Sequence, residues 1–445
     1  MTDKAQELEP WFRPPSQSDD IQTVHSSSAA LDNQQRAIIV GAGLAGCCSA
    51  WALANRGWKV TLLDASTQLA SAASSNRLAL FRPHITREPS TASEFSVTGF
   101  KHMQALLNES CSQQGESIDF NCDGVLQLLH NAEAYPDSPL YQRLTKQQAQ
   151  ALTGLRIASG GLFFDTAGQV NVPSLCRWLT NSRDIDFHAQ CQVLTISRHQ
   201  NFWRLNCNTS TFDAAHVVLA NGTELANFTD TRELTLIPVR GQTSVVNAPA
   251  SKIPVNLKVA VCGKHSIIPL AEKTNAKTKT DPAQTAKQQW QLGATYQRDS
   301  TDDAISDHDD RENVTAANSL FEESLFDASD EPVLQSWAGV RATTPDRLPL
   351  CGPIPDFGFY HQAYADIHHG RPATNYPDAR YQPGLYVIGG FGSRGVSVAA
   401  HCASVLANLM TKKVANRSAD PTDAKTLRLL HPARFLIRRL RKQPA

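Results

Sequence analysis

Three glycines, Gly41, Gly43 and Gly46, follow an apolar run and open a predicted helix, and this spacing constrains the fold more than any other feature. The preceding AIIV is predicted as a buried strand, and LAGCCSAWALANRG as a helix that ends at Gly57. The following WKVTLLDA is predicted as a second strand. The sequence therefore predicts a β-α-β unit whose glycine turn faces the amino end of the helix.

Each glycine of this turn has a separate physical purpose. The first allows a tight turn, the second lets the backbone approach a pyrophosphate, and the third lets the helix pack closely on the strand. Leu44 and Ala45 begin the helix, whose free N–H groups and positive dipole end attract phosphate. Asp64 ends the second strand about 20 residues on, and its carboxylate can accept hydrogen bonds from ribose hydroxyls. Because a carboxylate repels a 2′-phosphate, the motif favours FAD or NAD over NADP.

The composition allows two domains and points away from a metal site. The chain has 445 residues with 42 basic and 42 acidic side chains, so a polyanionic partner would need a local basic patch. Its ten cysteines form no C-x-x-C pair, which disfavours structural zinc and indicates free thiols in a reducing compartment. We therefore expect no metal and a cytoplasmic location.

Three polar stretches are predicted to lie outside the folded core. Residues 1–35 are aperiodic and lack the apolar core of a signal peptide, so we expect a disordered N-terminal segment. Residues 272–289 and 300–314 are rich in Lys, Thr, Asp and Gln and are predicted as surface insertions or mobile loops. Residues 37–54 carry no charge, but their glycine turn explains them better than a membrane helix does, and no membrane contact is predicted.

Four further blocks carry a resemblance to a known family. They are VVLANG (217–222), PVRGQ (238–242), WAGVRATTPDRLPLCG (337–352) and GLYVIGGFGSRG (384–395). With the glycine turn, these blocks resemble the D-amino acid oxidase and glycine oxidase family of flavoenzymes over nearly all residues from 36 to 410. The resemblance implies FAD rather than NAD. Some members attach FAD through a Cys or His, but Cys351 lies in a run typical of strand packing, so noncovalent FAD is expected.

A closer resemblance is carried by ASSNRLALFRPHI (73–85), WAGVRATTPDRLPLCGPIPD (337–356), the polar insert before 384–395 and the terminal LLHPARFLIRRLRK (429–442). Together these blocks resemble the FAD-dependent half of the bifunctional MnmC family of tRNA-modifying proteins. That family removes the carboxymethyl group of 5-carboxymethylaminomethyl-2-thiouridine at the wobble position. About 35 polar residues stand where the family has its methyltransferase half, so a separate methyltransferase is expected to act on the product.

The expected fold class is α/β, with a Rossmann-type FAD-binding domain and an interleaved antiparallel-sheet substrate domain of α+β type. The FAD-binding domain is predicted to be discontinuous, over residues 36–90, 170–235 and 337–415. Residues 91–169 and 236–336 are assigned to the substrate domain. Residues 416–445 are predicted as a basic C-terminal tail.

The resemblance implies transfer of a hydride from the glycine-like methylene to the flavin, followed by hydrolysis of the imine to glyoxylate and a primary amine. Arg341 is expected to hold the substrate carboxylate through two parallel hydrogen bonds, and a structural salt bridge to Asp346 is the alternative. Arg394, between two glycines of FGSRG, is expected to face the flavin or the substrate, while helix capping by Ser393 is an alternative use of that segment. His84 is expected to be a packing residue.

The remaining cofactor contacts follow from the glycine turn and from the resemblance. Asn76 and Arg77 are expected on a loop that covers the flavin. The full set of expected FAD-binding residues is Gly41, Gly43, Leu44, Ala45, Gly46, Asp64, Asn76, Arg77, Gly222, Gly390, Gly392, Ser393, Arg394 and Gly395.

The basic tail is predicted to contact tRNA, because a nucleic-acid substrate is steered by contacts with its phosphates. No acidic residue follows Asp423 to compensate the seven cations that do: Lys425, Arg428, Arg434, Arg438, Arg439, Arg441 and Lys442. Docking of the tail on the protein or on an anionic membrane, through Leu427, Leu429, Leu430, Leu436 and Leu440, is the alternative. Two other functions stay open. One is an oxidase of free glycine, sarcosine or a D-amino acid, and the other is a noncatalytic flavin-binding or RNA-binding protein.

Overall fold

The predicted β-α-β unit is present, as strand β1 (Arg36–Val40), helix α1 (Leu44–Ala54) and strand β2 (Lys59–Leu63). The computed structural model describes residues 8–15, 35–112, 117–248, 257–270, 288–326, 332–411 and 421–442. Nine of the eleven residues of α1 are buried, which explains its apolar composition on every face. Within the described ranges, no helix has the length and apolarity needed to cross a bilayer.

The other elements follow in chain order. The remaining strands are β3 (Ala79–Phe81), β4 (Phe120–Asn121), β5 (Val125–Leu128), β6 (Gln142–Leu144), β7 (Gly161–Phe164), β8 (Gly168–Val170), β9 (Ile185–His188), β10 (Val193–His199), β11 (Phe202–Cys207), β12 (Thr211–Ala214), β13 (His216–Leu219), β14 (Ile237–Asn247), β15 (Ala260–Cys262), β16 (Ser266–Pro269), β17 (Gln289–Gly293), β18 (Gln297–Arg298), β19 (Val333–Thr343), β20 (Leu350–Pro355) and β21 (Tyr381–Gly389). The remaining helices are α2 (Thr91–Ser112), α3 (Lys146–Thr153), α4 (Val172–Thr180), α5 (Asp307–Ala317), α6 (Phe357–Ala363), α7 (Gly395–Thr411), α8 (Pro421–Leu430) and α9 (Arg434–Leu440).

A six-stranded sheet in the order β20-β21-β13-β1-β2-β9 forms the frame of the first domain. Its strands are parallel except β20, which runs antiparallel to β21. Helix α1 packs against α4 and α7, and α7 also packs against α2. Parallel strands need other elements on both faces to bury them. Ile39 of β1 packs in one apolar cluster with α1 and α7, whereas its neighbours Ile38 and Val40 pack in a second cluster on the other face. The predicted Rossmann-type fold is confirmed.

A nine-stranded sheet, mostly antiparallel, forms the second domain. The order of neighbouring strands is β14, β17, β16, β15, β5, β7 and β6. Strand β18 also pairs with β14, at Val239 and Arg240, and β19 pairs with β14 over most of its length. The β14–β19 pair runs from Ile237 opposite Thr343 to Val246 opposite Val333. Strand β19 therefore lies in this sheet, so the boundary predicted between residues 336 and 337 falls inside a strand and is wrong. The remaining domain boundaries stay a prediction.

The polar stretch 300–314 is a surface loop only in its first part, since residues 301–305 are exposed and lie in no helix or strand. Residues 307–314 belong to α5, whose Asp310 is 8% exposed and whose Asn313 is fully buried, so the prediction of a surface insertion or mobile loop is wrong there. The Asp310 carboxylate accepts hydrogen bonds from Gln242 at 2.8 Å and from Ser336 at 2.9 Å, so polar side chains pack on strands β14 and β19. Buried polar groups are tolerated when such partners satisfy them. The stretch 272–289 lies outside the described residues except at its last two positions.

Residues 8–15 are also ordered, so the prediction of a disordered segment over residues 1–35 is wrong there. Pro10–Phe12 form a short 3₁₀ helix in which Trp11 and Phe12 are 3% and 5% exposed. The Trp11 ring packs edge-on against Tyr364 and Tyr376, at centroid distances of 5.8 and 5.7 Å. Burying two large aromatic side chains outweighs the cost of ordering a few residues.

Candidate active site

The glycine turn between β1 and α1 has no room for a side chain at two of its three positions. A Cβ on Gly41, whose φ is +102°, would lie 2.7 Å from the Ala220 carbonyl oxygen. A Cβ on Gly46 would lie 1.8 Å from the Gly41 carbonyl oxygen, so α1 can approach β1 only with glycine there. Leu44 and Ala45 begin the helix and are buried. This turn is the cradle expected of a pyrophosphate site.

Asp64 follows β2 and is held against the same turn. Its Oδ2 accepts a hydrogen bond from the Ala42 N–H at 2.7 Å, and its Oδ1 accepts one from the Ser66 N–H at 2.8 Å. An ionised carboxylate has about four acceptor positions, so further acceptor capacity is available for ribose hydroxyls. The donor set around the turn therefore fits the adenosine and pyrophosphate parts of FAD.

Ser74 and Ser75, which the sequence did not single out, connect the loop predicted to cover the flavin to both domains. Ser74 Oγ accepts a hydrogen bond from the Leu44 N–H at 3.0 Å, at the amino end of α1. Ser75 Oγ accepts one from the indole N–H of Trp337 in β19, at 2.6 Å. The SSN run indicated a loop but not its partners, because both partners are distant in the sequence. The loop thus connects the phosphate cradle to the second sheet.

The two predicted residues of that loop differ in their surroundings. Asn76 Oδ1 accepts a hydrogen bond from the Leu78 N–H at 3.0 Å, so its side chain stabilises the loop itself. Arg77 is exposed. The Leu78 carbonyl accepts a hydrogen bond from Gln291 in β17 at 2.9 Å, which is a second link to the substrate domain. Direct contact of Asn76 or Arg77 with FAD stays a prediction.

The FGSRG segment lies at the amino end of α7 and packs against the end of β19. Gly390 and Gly392 have φ values of +72° and +55°, which favour glycine. A Cβ on Gly392 would lie 3.1 Å from Thr343 Oγ1. Ser393 is exposed and forms no capping hydrogen bond within the described residues, so the capping alternative is not supported. The segment therefore approaches the strand that carries the predicted carboxylate ligand.

Gly222 and Gly395 are the remaining predicted FAD-binding glycines. Gly222 follows β13, has a φ of +63° and has open space where a side chain would be. Gly395 begins α7, and a Cβ there would be in ordinary contact with Leu44 of α1 at 3.6 Å. Both lie at ends of elements that border the glycine turn, and their contacts with FAD stay a prediction.

Arg341 of β19 extends across the neighbouring strand. A Cβ on Gly241 in β14 would lie 2.5 Å from Nη1 and 2.7 Å from Nη2 of Arg341, so the guanidinium occupies the space that this glycine leaves free. Burial lowers the pKa of Arg341, and Tyr296 opposes that shift. Within the described residues no carboxylate pairs with Arg341. Arg341 is half-buried, and a guanidinium without an acidic partner can bind an anionic ligand.

The alternative of a salt bridge between Arg341 and Asp346 is wrong. Asp346 instead accepts hydrogen bonds from Nε and Nη2 of Arg434 at 3.0 and 2.9 Å, and from Arg438 at 2.7 Å. Burial tends to raise the pKa of Asp346, but the two guanidinium groups outweigh it and lower the pKa to about 2. Asp346, the acid five residues after Arg341, is thus paired with Arg434 and Arg438 instead.

Three further cations gather near the amino end of α7. Burial lowers the pKa of Arg394, and the charges of Arg82 and Arg347 lower it further. The Arg82 carbonyl accepts a hydrogen bond from Ser397 Oγ of α7 at 2.9 Å, which fixes its segment beside FGSRG. Burial and the same three cations lower the pKa of His84 to about 4, so His84 is neutral at neutral pH. No acid among the described residues pairs with these arginines, and the region therefore attracts anions.

Cys351 is buried at 2% exposure within β20. Its Sγ donates a weak hydrogen bond to the Cys402 carbonyl of α7 at 3.3 Å. A thiol held in this way packs the sheet against the helix, which supports noncovalent rather than covalent FAD.

The basic tail is not a free set of cations, and the prediction that it has no compensating acid is wrong. Arg434 is 2% exposed and pairs with Asp346, as Arg438 does. Arg439 pairs with Glu233 at 3.3 Å, and Arg428 pairs with Glu9 at 3.0 Å. Acids from elsewhere in the chain are thus brought to the tail by the fold, and α9 packs its apolar face into the core. Lys425 and Lys442 are exposed.

Comparison with known proteins agrees with this geometry. Residues 36–409 match the family model described as FAD dependent oxidoreductase. The chain is 31% identical over 422 residues to the "tRNA 5-methylaminomethyl-2-thiouridine biosynthesis bifunctional protein MnmC" of Stutzerimonas stutzeri (strain A1501), covering 92% of this chain and 60% of that protein. It is 32% identical over 425 residues to the protein of the same name from Chromobacterium violaceum, again over 92% of this chain and 60% of the relative. The chain thus spans about three fifths of the length of these relatives.

Solved structures share the fold. The glycine oxidase of Geobacillus kaustophilus superposes with a TM-score of 0.66 at 22% identity, over 88% of this chain and 98% of that one. The iminodiacetate oxidase of Chelativorans sp. BNC1 superposes with a TM-score of 0.63 at 16% identity, over 84% and 95%. The family match, the glycine cradle and Asp64 identify FAD as the cofactor. This chain belongs to the FAD dependent oxidoreductase family.

Proposed function

We propose that the chain oxidises a C–N bond in the carboxymethylaminomethyl group of wobble-position uridine or 2-thiouridine in tRNA. The products are glyoxylate and the aminomethyl nucleoside. The single observation that supports this most strongly is Arg341, a half-buried guanidinium that meets no acid among the described residues and lies on β19, whose end contacts the FGSRG segment. The relatives of similar sequence are named for biosynthesis of a modified tRNA uridine, which favours a tRNA substrate.

In the proposed reaction, the methylene next to nitrogen loses a hydride and the nitrogen loses a proton, which leaves a C=N bond. Water then cleaves that bond: its oxygen becomes the aldehyde oxygen of glyoxylate and both of its hydrogens end on the released amine. Bound FAD supplies the two-electron acceptor. Arg341 holds the substrate carboxylate by two parallel hydrogen bonds and so orients the methylene that is oxidised. Gly241 leaves the space that the guanidinium needs, and Arg82, Arg347 and Arg394 make the surroundings favourable for an anionic substrate.

An oxidase of a free amino acid is the second candidate. The fold similarity to glycine oxidase and to iminodiacetate oxidase supports it, because those two names describe oxidation of small carboxylate-bearing amines. Arg341 would hold the carboxylate of such a molecule equally well. A noncatalytic flavin-binding protein is disfavoured by the half-buried Arg341 guanidinium, which meets no acid among the described residues.

The test is anaerobic mixing of the purified flavoprotein with tRNA that carries 5-carboxymethylaminomethyluridine. We expect bleaching of the flavin absorbance, one glyoxylate per flavin reduced, and a nucleoside shifted in mass to the aminomethyl form. Unmodified tRNA is the matched control and should leave the flavin oxidised. Reduction by sarcosine or glycine but not by modified tRNA would support the second candidate instead.

The tail retains two exposed lysines and several partly exposed arginines, and contact with tRNA phosphates there is still part of the proposal. A separate methyltransferase acting on the aminomethyl product and a cytoplasmic location also stay predictions. The contact between the tail and tRNA is tested by measuring the salt dependence of tRNA binding to wild type and to the double variant Lys425→Ala/Lys442→Ala. The double variant should bind tRNA more weakly, with a smaller dependence of affinity on salt.

A further inference from the structure

An exposed aromatic side chain borders Arg341. Tyr296 lies between β17 and β18 and is 55% exposed, which is unusual for a large side chain with an apolar body. Few large hydrophobic side chains of the described residues are exposed in this way. Neither packing nor a hydrogen bond to described residues explains it.

The backbone places Tyr296 next to the carboxylate site. Thr295 forms two hydrogen bonds with Gln242 of β14. Its N–H donates to the Gln242 carbonyl at 3.1 Å, and its Oγ1 accepts from the Gln242 N–H at 3.0 Å. The Thr295 carbonyl oxygen lies 2.8 Å from the point where a Gly241 Cβ would be, and Arg341 Nη1 lies 2.5 Å from that point. The residue after Thr295 therefore stands at the side of the guanidinium.

The position of Tyr296 beside Arg341 matches the shape of the proposed substrate. A carboxymethylaminomethyl group separates its carboxylate from the pyrimidine ring by four bonds, a span of roughly 5 Å. A ring whose carboxylate is held by Arg341 would therefore reach a side chain adjacent to that guanidinium. Proteins that recognise unpaired RNA bases commonly stack them on aromatic side chains. A free amino acid has no ring to cover such a surface.

We propose that Tyr296 stacks on the pyrimidine ring of the substrate nucleotide while Arg341 holds its carboxylate. The inference rests on the proposed function and adds the residue that selects a nucleotide over a free amino acid. The hydroxyl of Tyr296 is not required for stacking, whereas the planar ring is.

Three variants separate stacking from packing: Tyr296→Phe keeps the ring, Tyr296→Leu keeps apolar bulk without the ring, and Tyr296→Ala removes both. The assay is stopped-flow reduction of the bound flavin over a range of concentrations of modified tRNA. We expect the half-saturating tRNA concentration to rise about tenfold for Tyr296→Ala and Tyr296→Leu. It should stay within about twofold of wild type for Tyr296→Phe. Leu194→Ala, an equally exposed apolar residue on β10, is the matched control and should behave as wild type.

The outcomes distinguish this inference from the proposed function. If wild type is reduced by modified tRNA but Tyr296→Ala saturates at the same concentration, the function stands and the stacking inference is overturned. Full rescue by Leu would also overturn it, because bulk rather than a ring would then be sufficient. If wild type is not reduced by modified tRNA at all, the proposed function fails and this inference fails with it. Flavin content, measured for each variant, confirms that the folded holoenzyme is compared.

Discussion

Arg434 in α9 donates two hydrogen bonds to Asp346, from Nε at 3.0 Å and from Nη2 at 2.9 Å. Asp346 lies five residues after Arg341, on the loop that leaves β19. The C-terminal helix is therefore tied to the loop next to the carboxylate site. Removing the residues after Asp423 would break this pair as well as delete cations, so truncation cannot isolate a role of the tail in RNA binding.

Replacing Arg434 with Ala should lower the free energy of unfolding by about 3–5 kcal/mol, because Asp346 would lose the two hydrogen bonds that Arg434 donates to it in a buried ion pair. The Arg434 side chain is 2% exposed and that of Asp346 is 18% exposed. Urea denaturation followed by circular dichroism measures the change. Arg439→Ala is the control, since its pair with Glu233 is exposed and should contribute about 0–1 kcal/mol. Equal losses in the two variants would contradict the assignment.

The same pair makes stability depend on pH in the acid range. The pKa of Asp346 is lowered to about 2 in the folded protein, whereas an Asp in an unfolded chain titrates near 3.9. The stabilisation is therefore complete above about pH 4 and is lost as the pH falls toward 2. Asp346→Asn should be less stable at pH 7 but should lose less additional stability between pH 4 and 2. Parallel curves for wild type and variant, from urea midpoints at each pH, would be evidence against this titration.

Arg341→Ala should leave FAD bound but lower kcat/KM for the substrate roughly 100-fold, because two charge-assisted hydrogen bonds to the carboxylate are removed. Arg341→Lys should recover part of the loss, since an ammonium keeps the charge but not the planar pair of donors. The measurement is anaerobic flavin reduction, with the ratio of flavin to protein as the control. Near-normal reduction in Arg341→Ala would exclude Arg341 as the carboxylate ligand.

Gly241→Ala should weaken substrate binding without loss of FAD, because the added Cβ would lie 2.5 Å from Arg341 Nη1 and 2.8 Å from the Thr295 carbonyl oxygen. The guanidinium can shift but the backbone oxygen cannot, so we expect KM to rise about tenfold while kcat changes less. Gly358→Ala in α6 is the matched control, since its Cβ would approach nothing closer than 3.4 Å. An unchanged KM in Gly241→Ala would show that Arg341 does not act from this position.

The pattern of nearby residues was sufficient to predict the β-α-β unit of the first sheet and a dinucleotide cofactor. The spacing of Gly41, Gly43 and Gly46, with Asp64 at the end of the second strand, predicted a β-α-β unit and a dinucleotide. The structure agrees because a tight turn, a close helix and a carboxylate at the edge of a parallel strand depend on residues within one unit. The resemblance of the later blocks added FAD and Arg341, which local spacing could not supply.

Ion pairs between residues that lie far apart in the chain could not be predicted from the sequence. Asp346 was the alternative partner considered for Arg341, five residues away, but the fold brings Arg434 to it from 88 residues further along the chain. The same reason explains why Trp11, Asp310 and the tail arginines are more buried or better paired than their polar neighbourhoods suggested.

The amino-acid sequence alone determined the glycine cradle, the cofactor class and the family, because each of these follows from the order and identity of nearby residues. The tertiary structure decided which arginines pair with an acid and that Arg341 meets none among the described residues, because ion pairs form between side chains that meet only after the sheets and helices have packed. It also decided that Gly241 makes room for Arg341 and that Tyr296 stands beside it, since these residues lie on separate strands or segments of one sheet.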